Sequence, residues 1–377
     1  MTLKIKEVDG FSDLKKFVKF PFHLYKNHEY WIPPLIKGEL NTLQPETNPS
    51  LDNCEWKYLL AYKDGRLAGR IGGIISHRFN KQHKKRYARF CWFDFIDDFE
   101  VSSGLMADII EWAKIKGMES IVGPMGFSTF ERQGILCDGF DYLPTFSAAY
   151  NFEYYPGHLD RIGFQKDIDY VEYRIKIPSE IPEKVMRIRD LIMKRYELKT
   201  LQGKSKKELL PYAKPLFEIL NVAYAPLYGF AKLTDKQINY FIKKYFSFID
   251  PDFIVVVLDK NDKLIGFQIS VPSLSIALQK ARGRLFPFGF LHLIRAMKKP
   301  KTLDMMLVGI HPDYQNKGVN AVIMADLQRI CNEKGLEFAE SNGEMEENEK
   351  VQSFWRYYNA KQYKRNRIYS KSLTDDY

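Results

Sequence analysis

Residues 308–327 read VGIHPDYQNKGVNAVIMADL and carry the clearest structural signal in this chain. An apolar run from Met305 to Ile310 ends at His311, and a polar turn at residues 315–318 follows it. The pattern predicts a strand, a glycine turn and a helix. The helix is indicated by apolar residues at the spacing of one helix face, at Val319, Val322, Ile323, Leu327 and Ile330.

The predicted turn has the features of a phosphate-binding loop. The first N–H groups of a helix have no partner within the helix and lie at the positive end of its dipole. Gly318 has no side chain to keep a ligand from the backbone, and Lys317 adds a positive charge. An ordinary strand-to-helix connection has the same spacing, so the residues alone leave both interpretations open.

The same stretch resembles the pyrophosphate loop of the Gcn5-related N-acetyltransferase superfamily, whose pattern is Gln/Arg-x-x-Gly-x-Gly/Ala. Gln315, Gly318 and Asn320 take those places, and Asn320 stands where the family has a small residue. The resemblance implies that acetyl-coenzyme A or another acyl-coenzyme A is a substrate and that no metal takes part. It implies a diphosphate held by Gln315, Asn316, Lys317, Gly318, Val319 and Asn320.

Length and composition limit the class of protein. The 377 residues suggest two domains, and the net charge of +10 favours anionic ligands, nucleic acid or an acidic membrane surface without choosing among them. The four cysteines stand far apart and show no zinc spacing. The start, MTLKIKEVDGFSD, lacks an apolar signal core, and no apolar run has the length of a membrane span. These features predict a reduced, cytoplasmic protein without a transmembrane segment.

Two segments of the chain echo each other. Residues 59–75 read LLAYKDGRLAGRIGGII and residues 254–271 read IVVVLDKNDKLIGFQISV. Each has an apolar strand, a polar turn, and a glycine (Gly69 or Gly266) near the start of a second strand. Each predicted hairpin is followed later by a helix and a strand, which indicates a duplicated domain.

The resemblance turns this echo into a fold class. It implies an α+β protein of two tandem acetyltransferase-like domains, 1–178 and 179–377, each a mixed, mostly antiparallel sheet flanked by helices. A proline-rich linker, residues 177–182, marks the predicted boundary. The first domain lacks the pyrophosphate loop, because residues 97–109 read DDFEVSSGLMADI and their acids repel a diphosphate.

The family resemblance also implies where the thioester lies. The strand before the loop separates from its neighbour in the family, so that backbone N–H groups bind pantetheine and the acyl carbonyl; Val308, Gly309 and Ile310 match that strand. Gly309 fits a bulge or a close backbone approach. On the residues alone, a plain buried strand is the alternative.

Candidate proton carriers follow in the same half of the chain. Glu340 is the first candidate for the base and Asp304 the second, because buried acids on strands have tuned pKa values; the alternative for each is a structural acid. Residues 348–363, NEKVQSFWRYYNAKQY, resemble the family's last helix, in which Asn348 matches the asparagine that contacts the cofactor. The family's tyrosine acid falls on Trp355, which has no acidic proton, and Tyr358 or Tyr357 replaces it if the register shifts.

Three further segments each have more than one interpretation. Residues 274–301 contain seven positive charges, no acid and interleaved apolar residues, which fits a lid over a lipid-like acceptor, a membrane-surface patch or a solvated basic face. Residues 123–158 set charges among aromatic rings, as in a pocket or in a long packed loop. The basic residues 78–89 fit a nucleic-acid or phosphate contact, or a solvated loop.

The leading functional hypothesis is an acyl-coenzyme-A-dependent N-acyltransferase, which moves an acyl group, with acetyl expected, to the amine of a small molecule or peptide. One alternative is an aminoacyl-tRNA-dependent transferase of the tandem-domain type, which resembles the same fold. Another is a catalytically inactive binding module.

Overall fold

The computed structural model describes residues 2–201, 205–246 and 249–374. Its first strands are β1 (Leu3–Glu7), β2 (Cys54–Lys63), β3 (Arg66–Ser76), β4 (Tyr87–Phe95), β5 (Ser120–Gly123), β6 (Ile135–Asp138) and β7 (Gln165–Lys176). The helices among them are α1 (Gly10–Leu24), α2 (Ile36–Thr42), α3 (His77–His83), α4 (Phe99–Ile115) and α5 (Tyr154–Ile162).

The later strands are β8 (Lys199–Leu201), β9 (Ile254–Leu258), β10 (Leu264–Pro272), β11 (Thr302–Ile310), β12 (Phe338–Ser341), β13 (Glu344–Met345) and β14 (Lys361–Ser372). The later helices are α6 (Glu183–Arg195), α7 (Lys206–Ala223), α8 (Asp235–Phe246), α9 (Ser275–Ala281), α10 (Gly289–Lys298), α11 (Val319–Glu333) and α12 (Glu349–Trp355). No helix within the described ranges has both the length and the apolar composition to cross a membrane.

The chain forms two compact units whose limits differ from the predicted 1–178 and 179–377. Of the described residues, unit 1 holds 2–171, 275–293 and 363–374, and unit 2 holds the remainder of 172–362. Residues 275–293, which form most of the basic insertion, therefore belong to unit 1. Most of the last strand belongs to unit 1 as well. The two units are not two contiguous halves of the chain, because the chain returns twice to unit 1. A proline-rich linker in the sequence does not reveal such returns. That the first unit lacks a cofactor loop and the second has one stays a prediction.

Unit 1 contains a mostly antiparallel sheet in the order β1-β2-β3-β4-β5-β14. Only β4 and β5 are parallel, because α4 crosses over between them. The apolar face of α4 is fully buried on this sheet through Val101, Leu105, Met106 and Ile109. The predicted hairpin at 59–75 is confirmed as β2 and β3.

The N-terminus of α4 is negatively charged. The cap is Asp98, whose side chain accepts from the Glu100 N–H at 3.0 Å. Ser102 and Ser103 lie inside the helix, and their hydroxyls donate to the Phe99 carbonyl. Lys63 forms ion pairs with both Asp98 and Glu100. An acidic cap takes the place that an anion needs at a helix start.

Unit 2 repeats the arrangement with β12-β11-β10-β9-β8 and the end of β7 beside β12. β11 and β12 are parallel, and α11 crosses over between them. The predicted hairpin at 254–271 is confirmed as β9 and β10. α11 buries Val319, Val322, Ile323 and Leu327 in the core of the unit, and α6 packs on it. The α+β class with mostly antiparallel sheets flanked by helices is confirmed.

Candidate functional site

β11 contains a bulge and then separates from its parallel neighbour. Ile269 of β10 lies opposite Leu307, but the next residue, Ser270, lies opposite Met305, so Met306 is an extra residue on β11. Pairing with β12 ends at Met305 and Ser341. The side-chain amide of Asn342 donates to the Met306 carbonyl at 3.3 Å and thereby ties the segment after β12 to the bulge.

The far half of β11 presents an edge that β12 does not cover. The Val308 carbonyl accepts from the Tyr224 hydroxyl at 2.9 Å, and the Ile310 carbonyl accepts from the Gln315 side-chain amide at 3.1 Å. In a strand, the N–H and carbonyl of one residue point to the same side and alternate residues point to opposite sides. The N–H groups of Val308 and Ile310 therefore lie on this same edge.

Gly309 provides a close approach rather than the bulge. A Cβ atom at Gly309 would lie 2.5 Å from the Phe267 ring, so any side chain there would displace the ring. The sequence predicted either a bulge or a close backbone approach at Gly309. The structure shows the close approach at Gly309 and has the bulge at Met306.

The loop after β11 leaves the start of α11 open. Asn316 has a φ of +59° and Gly318 a φ of +83°, and Gly318 caps α11 without a side-chain hydrogen bond. The positive φ favours glycine, and a Cβ there would also lie 3.0 Å from Ile192. The first turn of α11 has no acid, so its N–H groups and the helix dipole offer a site to an anion.

The side chains of the loop divide into different roles. Lys317 is exposed, with its Nζ 5.5 Å from the ring centroid of Tyr196 and 5.4 Å from that of Tyr314. Val319 is 1% exposed and points into the core, so only its backbone can contact a ligand. Asn320 is partly buried at the second position of α11. Gln315 holds the Ile310 carbonyl and so connects the loop to the edge of β11.

The two acids predicted as bases lie side by side in the sheet. Asp304 and Glu340 are partners in the β11–β12 register, and they are 0% and 6% exposed. Glu340 Oε1 lies 3.5 Å from the Arg174 guanidinium, and Arg174 covers the Phe338 ring. An ion pair is the contact that the structural interpretation of Glu340 expects, and the roles of Glu340 and Asp304 stay predictions.

A third candidate base, Glu344, was not predicted from the sequence. Burial raises the pKa of Glu344 to about 7, against the opposing effect of hydrogen bonds from Trp355 and Ser341. The indole Nε1 of Trp355 lies 3.0 Å from both carboxylate oxygens. Glu344 follows directly on the segment that Asn342 ties to the β11 bulge. The sequence offers only the turn at Asn342-Gly343 as a signal, and it does not indicate burial of the acid.

The remaining predicted residues lie on α12 and just after it. Tyr358 is 4% exposed, and its hydroxyl has no hydrogen-bond partner within the described part of the chain. Burial raises its pKa well above the usual value, which makes it a weak acid. Asn348 stands just before α12, and its backbone carbonyl accepts from the Gln352 N–H at 3.1 Å. The roles of Tyr358 and Asn348 stay predictions.

We expect Trp355→Phe to raise the pKa of Glu344 above 7, because the substitution removes the N–H that stabilises the carboxylate. The measurement is an NMR titration of the Glu344 carboxyl in the purified chain. Tyr357→Phe is the matched control, since it removes a hydroxyl from the residues that follow the same helix. An unchanged midpoint in Trp355→Phe would show that the indole does not set the charge of Glu344.

Unit 1 contains a separate cleft of about 710 Å³. Most of its lining residues belong to the aromatic insertion at 123–158, for which a pocket was one of the two interpretations. Three acids, Asp138, Asp141 and Glu153, give the lining a negative charge. Burial lowers the pKa of His28, which is part of its wall. The lining residues are His28, Tyr30, Asp138, Gly139, Phe140, Asp141, Tyr150, Phe152, Glu153 and Tyr154.

No protein-family model matches the chain. Protein YghO of Escherichia coli (strain K12) is 25% identical over 369 residues, which cover 96% of this chain and 93% of that protein. A bacterial ceramide synthase of Caulobacter vibrioides (strain NA1000 / CB15N) is 24% identical over 380 residues, covering 96% of this chain and 95% of the relative.

Among solved structures, a tandem GNAT protein from the clavulanic acid biosynthesis pathway superposes with a TM-score of 0.57 at 10% identity, covering 100% of both chains. The superposition covers the whole of this chain and therefore both units. This chain therefore has the fold of the tandem Gcn5-related N-acetyltransferases.

Proposed function

We propose that this protein is an acyl-coenzyme-A-dependent N-acyltransferase whose unit 2 binds the acyl donor. The observation that carries the proposal is the continuity of three features: the bulge at Met306, the uncovered edge at Val308 and Ile310, and the open helix start at Gly318. A thioester donor with a diphosphate needs backbone donors along an extended arm and an anion site at its end. β11 and its loop offer these in the required order.

The residues fit this donor without a metal. The N–H groups of Val308 and Ile310 hold the extended arm, and the open turn at 315–320 holds the diphosphate with help from Lys317. Gly309 leaves room for the Phe267 ring of β10, and Val319 fixes the helix start in the core. When bound, acyl-coenzyme A supplies an activated carbonyl for attack by an amine.

Glu344 is the proposed general base, in place of Glu340 or Asp304. The amine nitrogen forms a bond to the acyl carbon, the carbon–sulfur bond breaks, and the amine proton passes to the Glu344 carboxylate. A base with a pKa near 7 is about half ionised at neutral pH and accepts a proton readily in its ionised form. The leaving thiolate takes a proton from water, since the raised pKa of Tyr358 makes its hydroxyl a weak acid.

The acceptor to test first is a long-chain amino alcohol. Ceramide is the N-acyl derivative of such an amine, and the relative that carries the name bacterial ceramide synthase aligns over 96% of this chain. Small-molecule and peptide amines are the wider class of acceptor. Binding of charged tRNA is not favoured, because the open helix start at Gly318 suits a diphosphate, and a poised Glu344 disfavours an inactive binding module.

We expect Lys317→Glu to weaken coenzyme A binding at least about tenfold, because it places a like charge beside the diphosphate. Isothermal titration calorimetry with coenzyme A and acetyl-coenzyme A measures the effect. Lys207→Glu makes the same charge change on an exposed residue of α7 and is expected to leave binding unchanged.

A panel of amines with release of free coenzyme A as the readout then tests the reaction. Absence of coenzyme A binding in the unsubstituted chain would overturn the proposed function. If Lys317→Glu binds coenzyme A as tightly as the unsubstituted chain does, the loop at 315–320 does not bind the diphosphate.

A further inference from the structure

Residues 282–293 present large apolar side chains to solvent. They lead from the end of α9 into α10, and Phe286, Phe288 and Leu291 are 78%, 69% and 50% exposed. Clustered exposure of aromatic rings opposes folding unless another surface covers them, so such a patch usually marks an interaction site. This patch is named the apolar–basic segment.

The base of the apolar–basic segment is firmly held within unit 1. The Gln279 side-chain amide donates to the Glu29 carbonyl at 2.7 Å, and the Ile36 N–H donates to the Gly283 carbonyl at 3.0 Å. Ala277, Leu278 and Ala281 are buried beneath it. The rings are therefore exposed on an anchored support, since other apolar residues of the same insertion already fill the core.

The charge of the insertion itself has one sign. Lys280, Arg282 and Arg284 are exposed and precede Phe286 and Phe288 closely in the sequence. Residues 274–301 contain seven positive charges and no acid. Of the seven, Lys301 forms an ion pair with Glu337. A neutral apolar ligand gains nothing from these cations, whereas anionic phosphates complement their charge.

α10 has the arrangement of an interfacial helix. None of its residues is buried, and Leu291 and Ile294 are exposed one turn apart. Exposed Arg295 and Lys298 follow on the same helix. A helix with an apolar stripe and basic residues lies in the plane of a bilayer surface, with rings among the acyl chains and cations at the phosphates.

We propose that the apolar–basic segment docks this protein onto an anionic lipid bilayer. Phe286, Phe288 and Leu291 enter the headgroup region, and Arg282 and Arg284 contact lipid phosphates. Apolar insertion and charge attraction act together, and each alone gives only weak binding. The inference stands independently of the proposed reaction, because it uses none of the residues assigned to acyl-coenzyme A.

Flotation of the full chain with lipid vesicles tests this inference. The chain is expected to float with vesicles of equal phosphatidylglycerol and phosphatidylcholine, and not with phosphatidylcholine alone. The double substitution Phe286→Ala and Phe288→Ala is expected to weaken binding at least about tenfold. Ile115→Ala is the matched control, since Ile115 is 76% exposed at the end of α4 and lies outside the segment.

A second variant tests the charges separately. Arg284→Gln combined with Lys298→Gln is expected to weaken binding to the anionic vesicles about tenfold, and added salt is expected to weaken binding of the unsubstituted chain. Failure of the unsubstituted chain to float, or equal flotation of the phenylalanine variant, overturns the inference. A third outcome also overturns it: the unsubstituted chain does not bind vesicles, and light scattering shows a different molecular mass for the phenylalanine variant. The segment would then be a contact between copies of the chain.

Discussion

Glu344→Gln is expected to lower kcat for amine acylation at least about 100-fold, the size of effect that a positioned general base contributes. Glutamine keeps the shape and can still contact the Trp355 indole, but it cannot accept the amine proton. In the unsubstituted chain, kcat/KM is expected to rise about tenfold per pH unit up to the pKa of Glu344, about 7, and then level off. The variant should lose this dependence.

Two comparisons make the result specific. Glu347→Gln changes an exposed acid on the same segment and is expected to leave kcat unchanged. Glu340→Gln tests the base that the sequence favoured. Loss of activity in Glu340→Gln with retained activity in Glu344→Gln would reverse the assignment.

The stability of Glu344→Gln separates catalysis from folding. Burial raises the pKa of Glu344 from its ordinary value to about 7, so the fold favours the protonated form. The stabilising contribution is complete below the unfolded pKa and is lost as the pH rises through 7. Above pH 7 the variant is therefore expected to melt at the same or a higher temperature than the unsubstituted chain, even though it is inactive.

Asp169→Asn is expected to lower the free energy of unfolding by about 3 kcal/mol, because it breaks a buried ion network. Asp169 is 1% exposed, and its carboxylate accepts from Arg365 at 2.8 Å and from Arg367 at 2.7 Å. Both arginine side chains retain access to water, which places the effect at the lower end of the range for buried pairs. Urea unfolding at neutral pH measures the change.

The same network predicts how stability depends on pH. Burial acts to raise the pKa of Asp169, but hydrogen bonds from Arg367 and Arg365 outweigh it and lower the pKa to about 2. Its contribution is present above the unfolded pKa and is lost as the pH falls toward 2. Asp167→Asn, at an exposed position of the same strand, is the control and should change neither stability nor its acid limb. Equal stability of both variants would show that the network contributes nothing.

Local patterns allowed the loop and the hairpins to be predicted from the residues. The strand ending at Ile310, the turn at Gly318 and the helix from Val319 depend on short-range periodicity and backbone preference, which the sequence displays directly. The hairpins at 59–75 and 254–271 depend on the same kind of signal, with adjacent strands and a short turn.

The candidate base was not predictable in this way. Glu340 was favoured because its position in a strand is visible in the sequence, but the arginine beside it comes from β7, far away along the chain. Glu344 has no periodic signal, and its raised pKa arises from burial and from an indole on the next helix. Charge state depends on what surrounds a group, and neighbours distant in sequence provide those surroundings.

The amino-acid order alone was sufficient for the two hairpins and for the position of the open helix start at Gly318, because each follows from contacts between near neighbours in the chain. The class of fold came from the resemblance to a known family. Tertiary structure was needed to place the bulge at Met306, to return residues 275–293 to unit 1 and to expose Phe286 and Phe288. These features depend on which strands pair and which apolar residues the core has already accommodated. Such long-range competition for partners leaves no periodic trace in the sequence.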